Sequence, residues 1–257
     1  MGQSRVWNYG TDPVMIAHRG GGLEAPENSR AAFELMRNRG FSFIETDVRS
    51  TKDGVAVILH DRKIDRVSDG HGPLNRYTWT ELSRIRHHEN GSFMRLDEVL
   101  REFPDTVFNI DAKESRVIKP LIGAINTVGA HDRICLASFS ENRLKQLRHA
   151  LPHVATSIGG AAVAKLLLAS KSPAQIQQAI LGTLPSRKDG VQAVQVPERM
   201  GGIRIVDEQF VDFAHSQGWA VHVWTVNDVP SASKLLSYGV DGIITDVPST
   251  IRSGLGV

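Results

Sequence analysis

Between residues 14 and 245, short apolar runs alternate with stretches whose apolar residues recur at helical spacing. That alternation points to parallel strands with crossover helices, because a parallel pair cannot be joined by a tight turn. Strands are predicted at 14–18, 42–48, 55–60, 107–112, 133–138, 154–158, 192–196, 220–226 and 241–245. Helices are predicted at 29–39, 94–103, 117–128, 141–150, 161–170, 173–182, 207–217 and 229–238. Asn28 and Ser29 offer caps for the first helix, Gly40 a stop, and Gly218 and Gly239 follow two later ones. The strands number one more than a TIM (β/α)8 barrel uses. The surplus falls within 42–60, where Thr51-Lys52-Asp53-Gly54 suits a tight reversal and is too short for a parallel crossover. One of the two flanking runs is therefore a hairpin partner, and the sequence does not say which.

A chain of 257 residues with 41% hydrophobic content can bury one substantial core, so a single barrel domain over 1–257 is expected. Residues 61–93, with the turn-rich Asp69-Gly70-His71-Gly72-Pro73, form a small insertion after the early strands. The net charge of +2 demands no nucleic acid as partner. The lone Cys135, in the apolar run Ile134-Cys135-Leu136, excludes an internal disulfide and a cysteine-based zinc cage, and is expected as a small core residue. No run approaches the length of a membrane span, residues 1–8 lack the apolar core of a secretory signal, and Val6 breaks a myristoylation pattern. A cytoplasmic protein without stable membrane insertion is the expectation; nothing in the sequence sets an oligomeric state.

The early strands also carry chemistry. His18 and Arg19 close the first, Glu45 and Asp47 lie in the second, and His60 ends the third. Residues two apart on a strand share a face, so Glu45 and Asp47 emerge side by side while Thr46 points away. Unpaired carboxylates in so apolar a run are costly, which favours a chelate for a hard cation over a cap and a stray surface charge. Asp111 and Lys113 repeat the two-residue spacing near the end of the 107–112 strand. In (β/α)8 enzymes reacting groups project from such strand ends. Asp111 is the natural third oxygen ligand beside Glu45 and Asp47, in a set that suits one divalent cation, Mg2+ or Ca2+, rather than zinc. Arg19, with a planar fork, and Lys113, as a point charge, suit a phosphate; metal-free ion pairs with the carboxylates are the structural alternative. Imidazoles near neutral pH suit both proton removal from an attacking oxygen and proton delivery to a leaving one.

The order His18-Arg19-Gly20, Glu27-Asn28-Ser29, Glu45-Thr46-Asp47, Thr51-Lys52-Asp53-Gly54 and His60-Asp61 resembles the glycerophosphodiester phosphodiesterase family. The resemblance continues through Asn109-Ile110-Asp111-Ala112-Lys113, Ala137-Ser138-Phe139, Val223-Trp224-Thr225-Val226-Asn227 and the closing run from Gly239 to Pro248. It implies hydrolysis of a small glycerophosphodiester to glycerol 3-phosphate and an alcohol. It assigns His18 and His60 the acid and base roles, without saying which is which or whether water or a substrate hydroxyl attacks. It also matches Trp224 to an aromatic residue lining the substrate pocket, an ordinary barrel-core tryptophan being the alternative. The family places part of its specificity in the insertion, which here is short enough to be a mere connector. Glu27 and Asn28 are expected to arrange and cap the first helix. His222 is expected as a packed, hydrogen-bonded residue, and His87, His88, His149 and His153 as surface residues. Where the family usually has glutamate, this chain has Asp111, one methylene shorter.

Two other readings compete. A phospholipase D-like lipid phosphodiesterase would favour secretion, disulfides and an apolar rim. A catalytically inactive barrel serving as a scaffold would have no physical need to bury such a charged cluster.

Overall fold

The computed structural model describes residues 13–88 and 91–256. Residues 1–8, which bear on a signal segment or myristoylation, lie outside the described residues. The sheet is built from β1 (Val14–Ala17), β2 (Phe43–Ser50), β4 (Val107–Ala112), β5 (Ile134–Ala137), β6 (Ala155–Thr156), β7 (Ala193–Pro197), β10 (Ala220–Trp224) and β11 (Gly242–Thr245). Their order is β6-β5-β4-β2-β1-β11-β10-β7, every neighbouring pair parallel. A parallel bridge from Thr156 to Val191 brings the two ends together, so the ring is nearly closed: a (β/α)8 barrel.

The ninth predicted strand resolves as β3 (Ala56–Ile58), which pairs antiparallel with the far end of β2, Ser50 opposite Ala56 and Val48 opposite Ile58. It stands outside the ring, and the turn that delivers it has Gly54 at φ +81°, a conformation that side chains disfavour. His60 therefore reaches the mouth of the barrel from this hairpin.

Outside the ring run α1 (Arg30–Asn38), α3 (Leu96–Glu102), α4 (Ile118–Val128), α5 (Glu141–Ala150), α6 (Gly160–Ser170), α7 (Ala174–Leu181), α8 (Glu208–Ser216) and α9 (Val229–Ser237), close to the predicted spans. Three further elements had no sequence prediction. One is α10 (Pro248–Leu255), whose only buried residues are Pro248 and Ile251, too few for a visible apolar stripe. The others are α2 (Trp79–Leu82), closed by a Thr78–Glu81 capping box, and a hairpin of β8 (Arg199–Met200) with β9 (Ile203–Arg204). None of the helices among the described residues is long and apolar enough to cross a membrane.

Inside the ring Ile16, Cys135, Ala155, Ala193 and Ile244 pack together, so Cys135 is the core residue expected. Two larger apolar clusters lie between sheet and helices, one around Phe33, Phe103 and Phe108, the other around Val194, Phe210 and Val221. The insertion has an apolar cluster of its own, in which Leu59, Ile64, Val67, Leu74, Leu82 and Phe93 pack on Val57. That gives it the internal packing a plain connector lacks.

Candidate active site

The β2–β4 register sets the centre of the site, placing Glu45 opposite Asn109 and Asp47 opposite Asp111. All four side chains are buried, and Lys113, just past β4, lies with Nζ 2.7 Å from both Asp47 Oδ1 and Asp111 Oδ2. Burial works against the Lys113 ammonium, but the Asp111 and Asp47 charges win and raise its pKa, so it stays charged. Burial likewise opposes ionisation of Asp47, and Lys113 overrides it, holding that carboxyl low. Glu45 instead faces the His18 ring, whose Nε2 lies 3.8 Å from Oε2. Burial, then the Asp47 charge, push it up to about 7.

β1 ends at Ala17, and a single 3-10 turn, His18–Gly20, follows. Gly20 is required there: at φ +79° a Cβ would come within 2.7 Å of the Phe33 ring. Arg19 adopts the left-handed conformation at φ 52°, uncommon for a side-chain-bearing residue. In that turn its backbone N–H donates to Glu45 Oε2 at 3.0 Å, while its guanidinium lies 3.1 Å from Glu27 and 3.4 Å from Asp47.

Glu27 and Asn28 do more than arrange a helix. Ser29, rather than Asn28, caps α1, accepting from the Ala32 N–H. Asn28, itself left-handed at φ 54°, donates to Asp47 Oδ2 at 2.9 Å and accepts from the Thr46 hydroxyl at 2.7 Å. A short polar side chain that tolerates this backbone region explains the residue type better than a cap. Glu27 joins Arg19 to Arg66 of the insertion, whose Nη2 lies 2.6 Å away.

Each histidine is backed by a carboxylate at Nδ1, His18 by Asp246 at 2.6 Å and His60 by Asp61 at 2.7 Å. With Nδ1 donating, Nε2 is the nitrogen left to exchange a proton. Burial pulls the His18 pKa down, but the Asp246 hydrogen bond and the Glu45 and Asp246 charges reverse this and leave it raised. Asp61 is held down to about 2, chiefly by Arg66, which donates to it at 2.6 Å. Asp246 is fixed in turn by Asn227, which donates to it at 2.8 Å. Asp246, Asn227 and Arg66 had no assigned role in the sequence reading. The usable signal for Asp246 was its position, just past the last strand of a barrel whose reacting groups sit at strand ends.

His18, Arg19, Glu45, His60, Asp111, Lys113 and Trp224 all face one cavity of about 260 Å3; Asp47 lies behind it, against Arg19 and Lys113. His222 is fully buried against Gln195 at 3.2 Å, as expected of a packed histidine, and does not line the cavity. His88, His149 and His153 are exposed, whereas His87 is half-buried with its ring edge-on to Phe93 at 5.5 Å.

No group of three or more His, Cys, Asp and Glu side chains among the described residues is drawn together as a metal centre; the Lys113 ammonium stands between Asp47 and Asp111. The donor set nevertheless suits a hard cation. Asp111 Oδ1 is buried without a hydrogen-bond partner, and burial raises the Asp111 pKa as it does that of Glu45. In both, burial disfavours the ionised form more than the protein's own cations favour it, which leaves room for a further cation to stabilise the carboxylate.

Cations and imidazoles converging at the strand ends of a (β/α)8 barrel place the chain among barrel enzymes that act on anionic substrates. The model of the glycerophosphoryl diester phosphodiesterase family matches residues 18–250. The chain is 35% identical, over 94% of its length and 90% of the relative's, to probable glycerophosphodiester phosphodiesterase 2 of Mycobacterium tuberculosis. It is 27% identical to a glycerophosphodiester phosphodiesterase of Caldanaerobacter subterraneus over 93% and 96% of the two chains. Among solved structures, an Oleispira antarctica phosphodiesterase in complex with the product sn-glycerol-3-phosphate shares the fold, with a TM-score of 0.79 and 23% identity over 95% of this chain and 97% of that one. The chain therefore belongs to the glycerophosphoryl diester phosphodiesterase family and is a phosphoric diester hydrolase.

Proposed function

We propose that this chain hydrolyses small glycerophosphodiesters to sn-glycerol 3-phosphate and an alcohol, using His18 and His60 as the acid–base pair. One observation carries the reading: two carboxylate-backed imidazoles open on the same cavity as Arg19 and Lys113. The product named for the Oleispira antarctica relative supports the choice of substrate.

Arg19 and Lys113 bind and neutralise the diester, without which an approaching nucleophile meets an anion. One imidazole takes the proton from the attacking oxygen, which is water or a substrate hydroxyl. As the bond from phosphorus to the alcohol oxygen breaks, the other imidazole hands that oxygen a proton. Asp246 and Asp61 hold both rings by Nδ1, so Nε2 does the exchanging. Trp224 bounds the space for the substrate. Glu45, Asp47 and Asp111 would hold one divalent cation, Mg2+ or Ca2+, whose chemistry when bound is charge neutralisation and polarisation of a phosphoryl oxygen. Holding it means competing with the Lys113 ammonium for Asp47 and Asp111, which leaves Lys113 available to the phosphate.

Turnover of glycerophosphocholine, with and without EDTA, tests this. EDTA is expected to abolish activity, and His18→Ala and His60→Ala each to lower kcat by roughly 10²–10⁴-fold in folded protein. Asp111→Ala is expected to weaken Mg2+ and Ca2+ binding in titration calorimetry. Wild-type turnover in either histidine variant overturns the acid–base assignment; unchanged cation affinity in Asp111→Ala removes Asp111 from the ligand set.

A further inference from the structure

Glu45, Asp47 and Arg49 stand two apart along β2 and therefore share a face. Arg49 is the nearest of them to the strand's end, in the part of β2 that pairs with β3, opposite Val57. It does not line the cavity, and its guanidinium is engaged on two sides. Nε donates to the His60 main-chain carbonyl at 2.8 Å, and Nη1 donates to Glu114 Oε2 at 3.2 Å. The other oxygen of that carboxylate accepts from the Ser50 N–H at 3.1 Å. Glu114 is thus fastened to the end of β2 by a side chain and a backbone group together.

Both contacts fall beside groups that face the cavity. Glu114 directly follows Lys113, whose own N–H donates to the Val48 carbonyl at 3.2 Å. His60 comes just after Leu59, whose N–H donates to the Asp47 carbonyl at 2.9 Å. His18 and Lys113 leave strands of the ring itself, whereas His60 arrives from a three-residue strand outside it. So short a hairpin arm has little stability of its own and needs its main chain held by something else. Asp61 holds the His60 ring, and Arg49 holds the backbone that carries it. The Arg49 and Glu114 side chains are only 15% and 21% exposed, so water screens this pair less than it screens a surface ion pair.

We propose that Arg49 and Glu114 are positioning residues: together they brace His60 against the Lys113 segment and so set the distance between the proton-exchanging ring and the phosphate-holding cation. This rests on the hydrolase reading above and adds to it two residues outside the cavity. A displacement of about 1 Å in a reacting group costs roughly 10²-fold in rate. Because Arg49 takes no part in holding the diester, the loss falls on kcat and leaves KM in place.

Turnover of glycerophosphocholine and the NMR signals of the histidine rings test it in parallel, with Arg49→Met, Arg49→Lys and Glu114→Ala in the full chain. Arg49→Met keeps the apolar stem and removes the donors; it is expected to lower kcat by about 10–100-fold with KM nearly unchanged. Arg49→Lys, which reaches one partner but cannot bridge both, is expected to recover part of that loss. Glu114→Ala leaves the bond from Arg49 to His60 in place and is expected to lose less than Arg49→Met. In histidine-labelled protein the His60 ring signals, identified by their disappearance in His60→Gln, are expected to shift and broaden in Arg49→Met while those of His18 stay in place. A raised KM with unchanged kcat would make Arg49 a substrate-binding residue and overturns the proposal. Wild-type kcat with unmoved His60 signals overturns it too, since the pair is then a structural clasp alone. Should Arg49→Met fail to fold, wild-type kcat in both Arg49→Lys and Glu114→Ala is the overturning result. If the wild-type protein hydrolyses no diester, the hydrolase reading fails and the His60 signals alone decide whether the brace exists. Brisk wild-type turnover that Arg49→Met leaves untouched does the reverse.

Discussion

At His18 two opposing effects meet, burial that favours the neutral ring and the Asp246 carboxylate that favours the charged one, and the carboxylate prevails. Asp246 itself is braced by Asn227, so it serves as a positioning residue for His18. Asp246→Asn keeps a similar shape and removes the charge. The His18 pKa is then expected to drop, and the limb of the pH–rate profile governed by His18 to move to lower pH. The kcat should fall by more than about tenfold, yet by less than the roughly 10²–10⁴-fold that a whole acid–base group contributes. A variant with reduced kcat and an unmoved pH profile would show that Asp246 only packs. Glu45, Asp47, Asp111 and the two histidines were legible because two-residue spacing and strand ends are local signals. The Asp246–His18 pair spans 228 residues and exists only because β11 returns to lie beside β1. Asn28 was legible as a polar residue before a helix, but its left-handed backbone and its grip on Asp47 were not.

Among the elements, the insertion ties structure to chemistry most directly. Its small apolar cluster anchors the segment that presents Arg66, and Arg66 bridges Glu27, which holds Arg19, and Asp61, which holds His60. One side chain thereby couples Arg19, proposed to bind phosphate, to His60, proposed as half of the acid–base pair. Arg66 is about half exposed, so its ion pairs should contribute little to stability, within about 1 kcal/mol each. Arg66→Met is therefore expected to leave Tm nearly unchanged while lowering kcat/KM by about 10–100-fold, the cost of a slightly misplaced reacting group. Thermal unfolding beside steady-state kinetics checks it; equal activity in the two proteins would mean the bridge is a surface ornament. The barrel helices α1 and α3 to α9 were readable from their apolar stripes. The turn-rich insertion gave no periodicity, and neither α2, four residues long, nor the two-residue strands β8 and β9 can show one. α10 escaped for a related reason, since its short, glycine-containing sequence buries only two side chains.

For the molecule as a whole, the ring of strands ties stability to pH through His222. Its ring lies in the barrel wall opposite Gly242, where a Cβ would come within 2.8 Å of it, so the close packing depends on that glycine. Burial pushes the His222 pKa down to about 4, with the Asp241 charge working weakly against it. The sign follows from linkage: between about 4 and the ordinary value near 6.5 the unfolded chain binds a proton that the folded chain refuses. The stability associated with the neutral ring is therefore complete above about pH 6.5 and is lost as pH falls toward about 4, by about 3 kcal/mol in all. Other groups titrate over the same range, so the comparison that isolates this one is wild type against His222→Gln, a neutral side chain able to hydrogen-bond with Gln195. Urea unfolding at several pH values between about 7 and about 4 is expected to show the wild-type protein losing stability faster than the variant. The variant should be the less stable protein near neutrality, where it has lost ring packing, and should close that gap in acid. Parallel pH dependences in the two proteins would mean that His222 is protonated in the folded barrel, and that its neutral, buried state is not what limits acid stability.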